Sequence, residues 1–451
     1  MGRITLRQAA QWCGGRIDPK YEEVTFFGAN NDSRNVQPGQ LFVALQGVRD
    51  GHDFIPMAFE KGAAAVLCTH CDGDYPAIIV DDTRIALGQI ARGERQRIGM
   101  KVVGVTGSVG KSTTKEMIAC VLESKYRVEK TPANHNNDIG MPMAVLSIPE
   151  ETEVAVLEMG MNHFREIAYL TDIAQPDLAV IINIGTMHIE HLGSQEGILK
   201  AKMEIVEGMK PDGKLILNGD DALLRTVKGT VTQEVTYFGA KNEACEVRGM
   251  TINHAPGQLA FTVVSGGQTI SVELPVEGEH YVSDALAAVS VGLAMGVSAE
   301  GIRQQLAVFR NMAGRQEILK MKDYTIIKDC YNAGPESMAA ALKVLGNQPG
   351  RHIAVLGDML ELGVCTQAEH YKVGRIAAEK AQLVLAYGPN SSRIVDGCLT
   401  GGMSAQCALA FVDRDALVAT LKRMARPGDV MLFKGSHGMH MEIALEKFLA
   451  D

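Results

Sequence analysis

Residues 104–113 read GVTGSVGKST, a small-residue turn ending in Gly-Lys-Ser directly after the apolar run Lys101 to Val105. Backbone N–H groups in such a turn can converge on phosphate oxygens. Lys111 would supply charge toward the β- and γ-phosphates, and Ser112, at a helix start, would supply a hydroxyl for Mg²⁺. The strict phosphate-loop spacing asks for glycine at 105, where this chain has Val105, with glycines instead at 104, 107 and 110. A Gly-rich strand-to-helix turn without a ligand is the bland alternative, and nucleotide binding is the expectation.

Other chemistry-bearing residues sit at predicted strand ends. EVAVLEMG closes on Glu158, from which a carboxylate can reach the metal of a phosphate-loop site, although any buried strand can end in an acid. DLAVIIN ends on Asn183 and opens into GTMHIEHLGS, where His188 and His191 lie three apart in a predicted loop, as metal ligands or as solvated side chains. Cys68 and Cys71 bracket His70, but no second ligand pair follows nearby. The nine cysteines are odd in number and irregularly spaced, so reduced thiols are expected.

These residues need elements to hold them. From 101 to about 218, apolar runs alternate with helical stretches, the mark of parallel βαβ units. Between 235 and 275 the rhythm breaks: LAFTVV and TISVEL, joined across Ser265-Gly266-Gly267, read as an antiparallel hairpin excursion. A second α/β series follows Gly314-Arg315, and residues 1 to 98 mix short strands such as LFVAL with turn clusters. The expectation is an α/β protein of three domains: a mixed α/β N-terminal substrate domain over 1–98, a central phosphate-loop ATPase-like parallel sheet with its antiparallel excursion over 99–312, and a C-terminal Rossmann-like parallel sheet over 313–451. Ligands of open α/β sheets sit beyond the carboxyl ends of the strands, so the two larger sheets should face each other across a cleft.

Bulk properties exclude several classes. A net charge of -9 opposes a general nucleic-acid surface, and an acidic chain must meet anionic ligands with local donors. No apolar run approaches the ~20 residues that span a bilayer, and no basic-then-apolar leader opens the chain, so a cytoplasmic protein without membrane insertion is expected. Nothing in the sequence demands more than a monomer.

Taken together, the motifs resemble the Mur ligase family. Its T-G-[ST]-x-G-K-[ST] loop is present from Thr106 to Ser112, which accounts for the glycine spacing. TPANHNNDIGMP (131–142), VLEMGMNHF (156–164), and the run from Asn183 through His188 to GSQEGILKAKMEI are similar to further family stretches. DCYNAGPESM (329–338) and VLGDMLELG (355–363) resemble the branch that joins D-Ala-D-Ala to a UDP-muramoyl-tripeptide.

The resemblance implies an ATP-dependent amide ligase of peptidoglycan precursor synthesis: a substrate carboxylate is phosphorylated, the dipeptide amine attacks the acyl phosphate, and ADP and phosphate leave. It implies nucleotide contacts from Gly107, Ser108, Val109, Gly110, Lys111, Ser112 and Thr113. Two Mg²⁺ sites draw on Ser112, Glu158, His188 and a carbamylated Lys202, and Lys111, Glu158, His188 and Lys202 form the catalytic set. His280 is implied near adenine, Arg315 at the phosphates, and Asp329, Tyr331 and Asn332 about the ribose. Ser33, Arg34, His52, Asn134 and Asn137 are implied to bind the UDP-muramoyl substrate. The chain departs from the family's usual residues at Tyr281, Asp284, Lys328, Gly334 and His437.

Two other readings are open. A sister ligase adding a diamino acid to the dipeptide precursor shares the loop but usually carries Asp-Asn-Pro-Arg, which is absent. A phosphate-loop regulator with a guanine-selecting Asn-Lys-x-Asp finds no such motif here either.

Overall fold

The computed structural model describes residues 4–255 and 257–450. The β-branched run Lys101–Thr106 is the pivot of a nine-stranded sheet. It lies between Val154–Glu158 on one side and Leu178–Ile181 on the other, all parallel. Chain order reverses across this strand, so the loop after it opens into a crevice at the carboxyl edge, where open α/β sheets hold ligands. Glu234–Gly239 still pairs in parallel with Lys214–Asn218; the antiparallel excursion begins only with Val247–Ala255 against Gln258–Ser265. Gly266 and Gly267, at φ 55° and 78°, make the tight turn into Gln268–Leu274, as the Ser-Gly-Gly spacing predicts.

The C-terminal sheet has six strands, five of them parallel, with Glu317–Lys320 added antiparallel at one edge. Two adjacent strands of it, Tyr324–Asp329 and Asp429–Lys434, run in parallel register so that Asp329 lies opposite Lys434 at the carboxyl ends. The N-terminal region carries a four-stranded parallel sheet, Ala29–Asn30, Leu41–Val43, Ala65–Cys68 and Ala77–Ile79, beside a short antiparallel pair.

Core packing does not follow three equal units. Apolar side chains of the N-terminal sheet, the helix Thr83–Ile98 and one face of the central sheet form one continuous buried cluster, running from Ile4 and Leu41 through Ile90 to Leu157 and Leu217. Within this junction the buried Arg95 guanidinium donates to the carbonyls of Ala174 and Gln175, at 2.8 and 3.0 Å, satisfying the end of the helix Glu166–Ala174. The C-terminal sheet packs both its faces into clusters of its own.

No helix among the described residues is long and apolar enough to cross a membrane.

Candidate active site

The phosphate loop is held open from behind. Gly110, at φ 86°, starts the helix Lys111–Leu122, and a Cβ there would lie 2.7 Å from Asp284 Oδ1, so only glycine fits both the angle and the space. Asn183 splints the loop. Its Oδ1 accepts from the backbone N–H of Ser108 and of Val109, both at 3.0 Å, and its Nδ2 donates to the Val109 carbonyl. Lys111 curls back so that Nζ donates to the Gly107 carbonyl at 2.9 Å. Burial and the nearby Arg315 charge lower its pKa, with Glu158 opposing.

Glu158 ends its strand fully buried. Oε1 accepts from Asn136 Nδ2 at 2.8 Å, while Oε2 is buried with no hydrogen-bond partner among the described residues, and Lys115 Nζ stands 3.9 Å from it. A buried carboxylate oxygen without a donor is expensive unless a cation meets it, so this acid fits a metal-binding role. Lys115, itself buried, is held in place by the Thr131 carbonyl at 2.6 Å.

Arg315 reaches back from the linker after the central sheet. Its Nη2 donates to Ser112 Oγ at 2.8 Å, and its guanidinium lies 4.0 Å over the Tyr331 ring, a cation–π contact. Its Nε is buried and has no hydrogen-bond partner among the described residues.

Lys202 is buried to 2% exposure, and desolvation with the Lys111 charge pushes its pKa well below the ordinary lysine range. Burial thus favours the neutral amine, the form that can add CO₂, over the ammonium, which cannot. His188 adopts φ 64° and places Nδ1 2.6 Å from Glu361 Oε2.

On the C-terminal side, Asp329 is engaged rather than free. Oδ2 accepts from Lys434 Nζ at 2.6 Å, and Oδ1 accepts from the Gln316 N–H at 3.2 Å. Burial lowers the His280 pKa to about 4, keeping the ring neutral where it packs tilted against Tyr281, at 4.2 Å between ring centroids. Asn332 Oδ1 accepts from its neighbour Ala333 N–H, and its carbonyl also holds Lys434.

These groups share one cleft of about 1080 Å³. Ser108 to Thr113, Asn134, Asn137, Glu158, His188, His280, Arg315, Asp329, Tyr331 and Asn332 all line it. Its volume stands at the upper end of single-ligand sites and leaves room for more than a nucleotide. Gly107 and Lys202 sit behind the wall. Ser33, Arg34 and His52 are elsewhere, in the N-terminal region. Ser33 Oγ meets Met57 Sδ, Arg34 is exposed and bound to Asp32, and both ring nitrogens of His52 are taken, by Asp50 and by Thr69. Asn137 lines the cleft, but its Oδ1 is committed to the N–H of Gly140 at 2.8 Å, at the start of the helix Gly140–Leu146.

Several departures find a structural reason. Asp284 accepts from Thr114 Oγ1 at 2.8 Å in a dry environment that raises its pKa to about 7. The Tyr281 hydroxyl accepts from Asn311 Nδ2, and Gly334 caps the helix Pro335–Gly346, with Met187 where a side chain would go. Cys68 and Cys71 are free thiols, and burial raises both pKa values, Cys68 to about 12.

Four participants escaped sequence reasoning. Asn136 sits between the two asparagines that were singled out, Lys115 looks like any helix lysine, and Glu336 and Glu361 lie inside quoted motifs without a chemical signature of their own. Glu336 Oε1 accepts from both N and Oγ1 of Thr186, at 3.0 and 3.1 Å, and so joins the C-terminal sheet to the loop before His188.

A Gly-rich loop at a sheet switch point, a buried acid facing it and an arginine arriving from a second α/β unit define a phosphate-loop nucleotide-using protein with a divided cleft. Comparison with known proteins makes this specific. Residues 25–95 match the model of the Mur ligase family catalytic domain, 105–292 the Mur ligase middle domain and 314–437 the Mur ligase glutamate ligase domain. The chain belongs to the Mur ligase family.

It is 39% identical to the UDP-N-acetylmuramoyl-tripeptide--D-alanyl-D-alanine ligase of Bacillus subtilis (strain 168), over 98% of this chain and 97% of the relative. Among solved structures, MurF from Acinetobacter baumannii superposes with a TM-score of 0.91 at 32% identity, with both chains covered completely. MurF ligase from Thermotoga maritima in complex with ADP gives 0.83 at 30% identity, over 94% of this chain and 97% of that one.

Proposed function

We propose that the chain is an ATP-dependent ligase that joins D-Ala-D-Ala to UDP-N-acetylmuramoyl-tripeptide through an acyl phosphate, releasing ADP and phosphate. A carboxylate does not condense with an amine at neutral pH because oxide is a poor leaving group; phosphorylation converts it to phosphate, a good one. The observation that carries the reading is the meeting, in one cleft, of the phosphate loop, the partnerless Glu158 oxygen and Arg315.

ATP lies between the two larger sheets in this reading. The loop N–H groups, Lys111 and Arg315 take the phosphates, and His280, Asp329, Tyr331 and Asn332 face the nucleoside. Transfer of the γ-phosphoryl group brings several negative charges together, and an acidic protein must place its cations at that point. Ser112 and Glu158 would hold one Mg²⁺, and His188 with carbamylated Lys202 would support a second, which when bound neutralises charge on the transferring group. Burial favours the neutral form of the Lys202 amine, which is the precursor a carbamate needs. Asn134 and Asn137 border the part of the cleft assigned to the muramoyl-peptide, with Ser33, Arg34 and His52 assigned to its UDP end. Small-molecule substrates and no macromolecular partner are required, and a monomer suffices.

Phosphate release from ATP in the presence of UDP-muramoyl-tripeptide, with and without D-Ala-D-Ala, tests the reaction. Release requiring both substrates, dependent on bicarbonate and lost in Lys202→Ala, is expected. Release that ignores either substrate, or a fully active Lys202→Ala, would place the protein in another nucleotide-using class.

A further inference from the structure

The loop after the strand His352–Gly357 is pinned from three directions, once through a side chain and twice through its backbone. Asp358 Oδ2 accepts from the N–H and the side-chain amide of Asn390, at 2.8 and 2.9 Å. The Met359 N–H donates to buried His370 Nε2, and the Leu360 N–H donates to Ser436 Oγ. The next residue, Glu361, takes φ 61°, a conformation that costs a side-chain-bearing residue about 1–2 kcal/mol, and two residues on Gly363 packs its backbone against Glu190. That strained backbone delivers one carboxylate across the gap between the two larger sheets. Its target, His188, is held at φ 64° on the opposite side, and Glu361 Oε2 to His188 Nδ1 is 2.6 Å.

A carboxylate this close to Nδ1 requires a proton on that nitrogen. In a neutral imidazole the other nitrogen then carries the lone pair, because only one ring nitrogen is protonated. We propose that Glu361 is a positioning residue for His188: it selects the Nδ1–H tautomer and so leaves Nε2 as the electron-pair donor. The donor set for a divalent cation would then be complete only when the C-terminal sheet is docked. The inference rests on the reading above of His188 as a cation ligand. Carboxylate–imidazole–metal chains work in this way generally. Here the carboxylate and the imidazole are 173 residues apart and belong to different sheets, so ligand orientation and docking become one event.

The test uses the full-length protein with ring-¹⁵N-histidine in magnesium-free buffer, with and without ADP, and reads the His188 tautomer from two-bond ¹H–¹⁵N correlations. The His188 signal is assigned by its loss in His188→Gln. The parent and Glu361→Gln, whose amide oxygen can still accept, are expected to show Nδ1–H. Glu361→Ala and Glu361→Ser are expected to move toward Nε2–H. In parallel, the apparent magnesium requirement at saturating ATP should rise roughly tenfold in the Ala and Ser variants, while the KM for ATP stays unchanged.

The same tautomer in the parent and in both truncations overturns the proposal, as does an unchanged magnesium requirement in variants whose tautomer has shifted. Glu361 is half exposed, so truncation removes no core contact. If His188→Gln itself leaves the magnesium requirement unaltered, the assignment of His188 to the cation fails. If it raises the requirement and Glu361→Ala does not, only the positioning role fails.

Discussion

Arg315 and Ser112 are joined by a 2.8 Å hydrogen bond from Nη2 to Oγ, across 203 residues of chain. The guanidinium, 4.0 Å over the Tyr331 ring, is set in advance at the first turn of the phosphate-loop helix. Lysine can neither stack in this way nor donate through a planar fork. Arg315→Lys should therefore lower kcat by about 10²-fold, the usual effect of removing one donor aimed at developing charge, while a thermal melt stays near that of the parent. A kcat within twofold of the parent would remove Arg315 from the transferring phosphoryl group.

Neighbouring asparagines should separate by role. Asn136 holds Glu158, whereas Asn137 closes the start of a helix. Asn136→Ala should raise the magnesium requirement of phosphate release and, by leaving the buried Glu158 Oε1 without its donor, also cost about 1–3 kcal/mol of stability, whereas Asn137→Ala should leave the magnesium requirement unchanged. Asn137→Ala should cost about 1 kcal/mol of stability, as lost caps do. Magnesium titrations and denaturant unfolding on the two variants decide it, and the reverse assignment would show in the same pair of measurements.

Asp284 gives a pH signature. Burial raises its pKa from an ordinary 3.8 to about 7, so between these values the native state binds a proton that the unfolded state has released. The stabilising contribution is complete below about pH 4 and lost as pH rises through about 7. Asp284→Asn lacks this ionisation and keeps an acceptor for Thr114. Its stability relative to the parent should increase from pH 4 to pH 7, by at most ~4 kcal/mol at ~1.36 kcal/mol per pKa unit. A difference that is flat with pH would mean that Asp284 ionises freely in the folded protein.

Closure of the cleft should be observable as compaction. Arg315, Glu336 and Glu361 all bridge the two larger sheets, yet each contact is polar and local, so ligands are expected to supply much of the force that holds them together. Small-angle scattering should show a smaller radius of gyration with ATP and UDP-muramoyl-tripeptide together than without them. An unchanged radius would mean that the free protein is already closed.

What could be read from the sequence follows the range of the interactions involved. The phosphate loop, the strand ending in Glu158 and the Ser-Gly-Gly turn are local patterns in which residue type and spacing suffice. Asn183 was visible as a strand end, but its splinting of Ser108 and Val109 depends on two strands lying side by side. Glu336 and Glu361 meet their partners only after a second sheet has docked, and no periodicity encodes that. Lys434 fills one side of Asp329 for the same reason: register between two strands placed a lysine opposite an acid 105 residues away. The start of the antiparallel excursion was misplaced because Glu234–Gly239 alternates like an edge strand while pairing in parallel.

The continuous apolar cluster beneath the N-terminal and central sheets has a consequence for how the molecule comes apart. Side chains from Ile4 to Cys245 share one dry interior, whereas the C-terminal sheet encloses its own on both faces. Heat should therefore dissolve the chain in two cooperative steps rather than three. The first two sheets would melt as one body, and the last would be free to unfold, refold or swing as an independent lid without opening anyone else's oil to water.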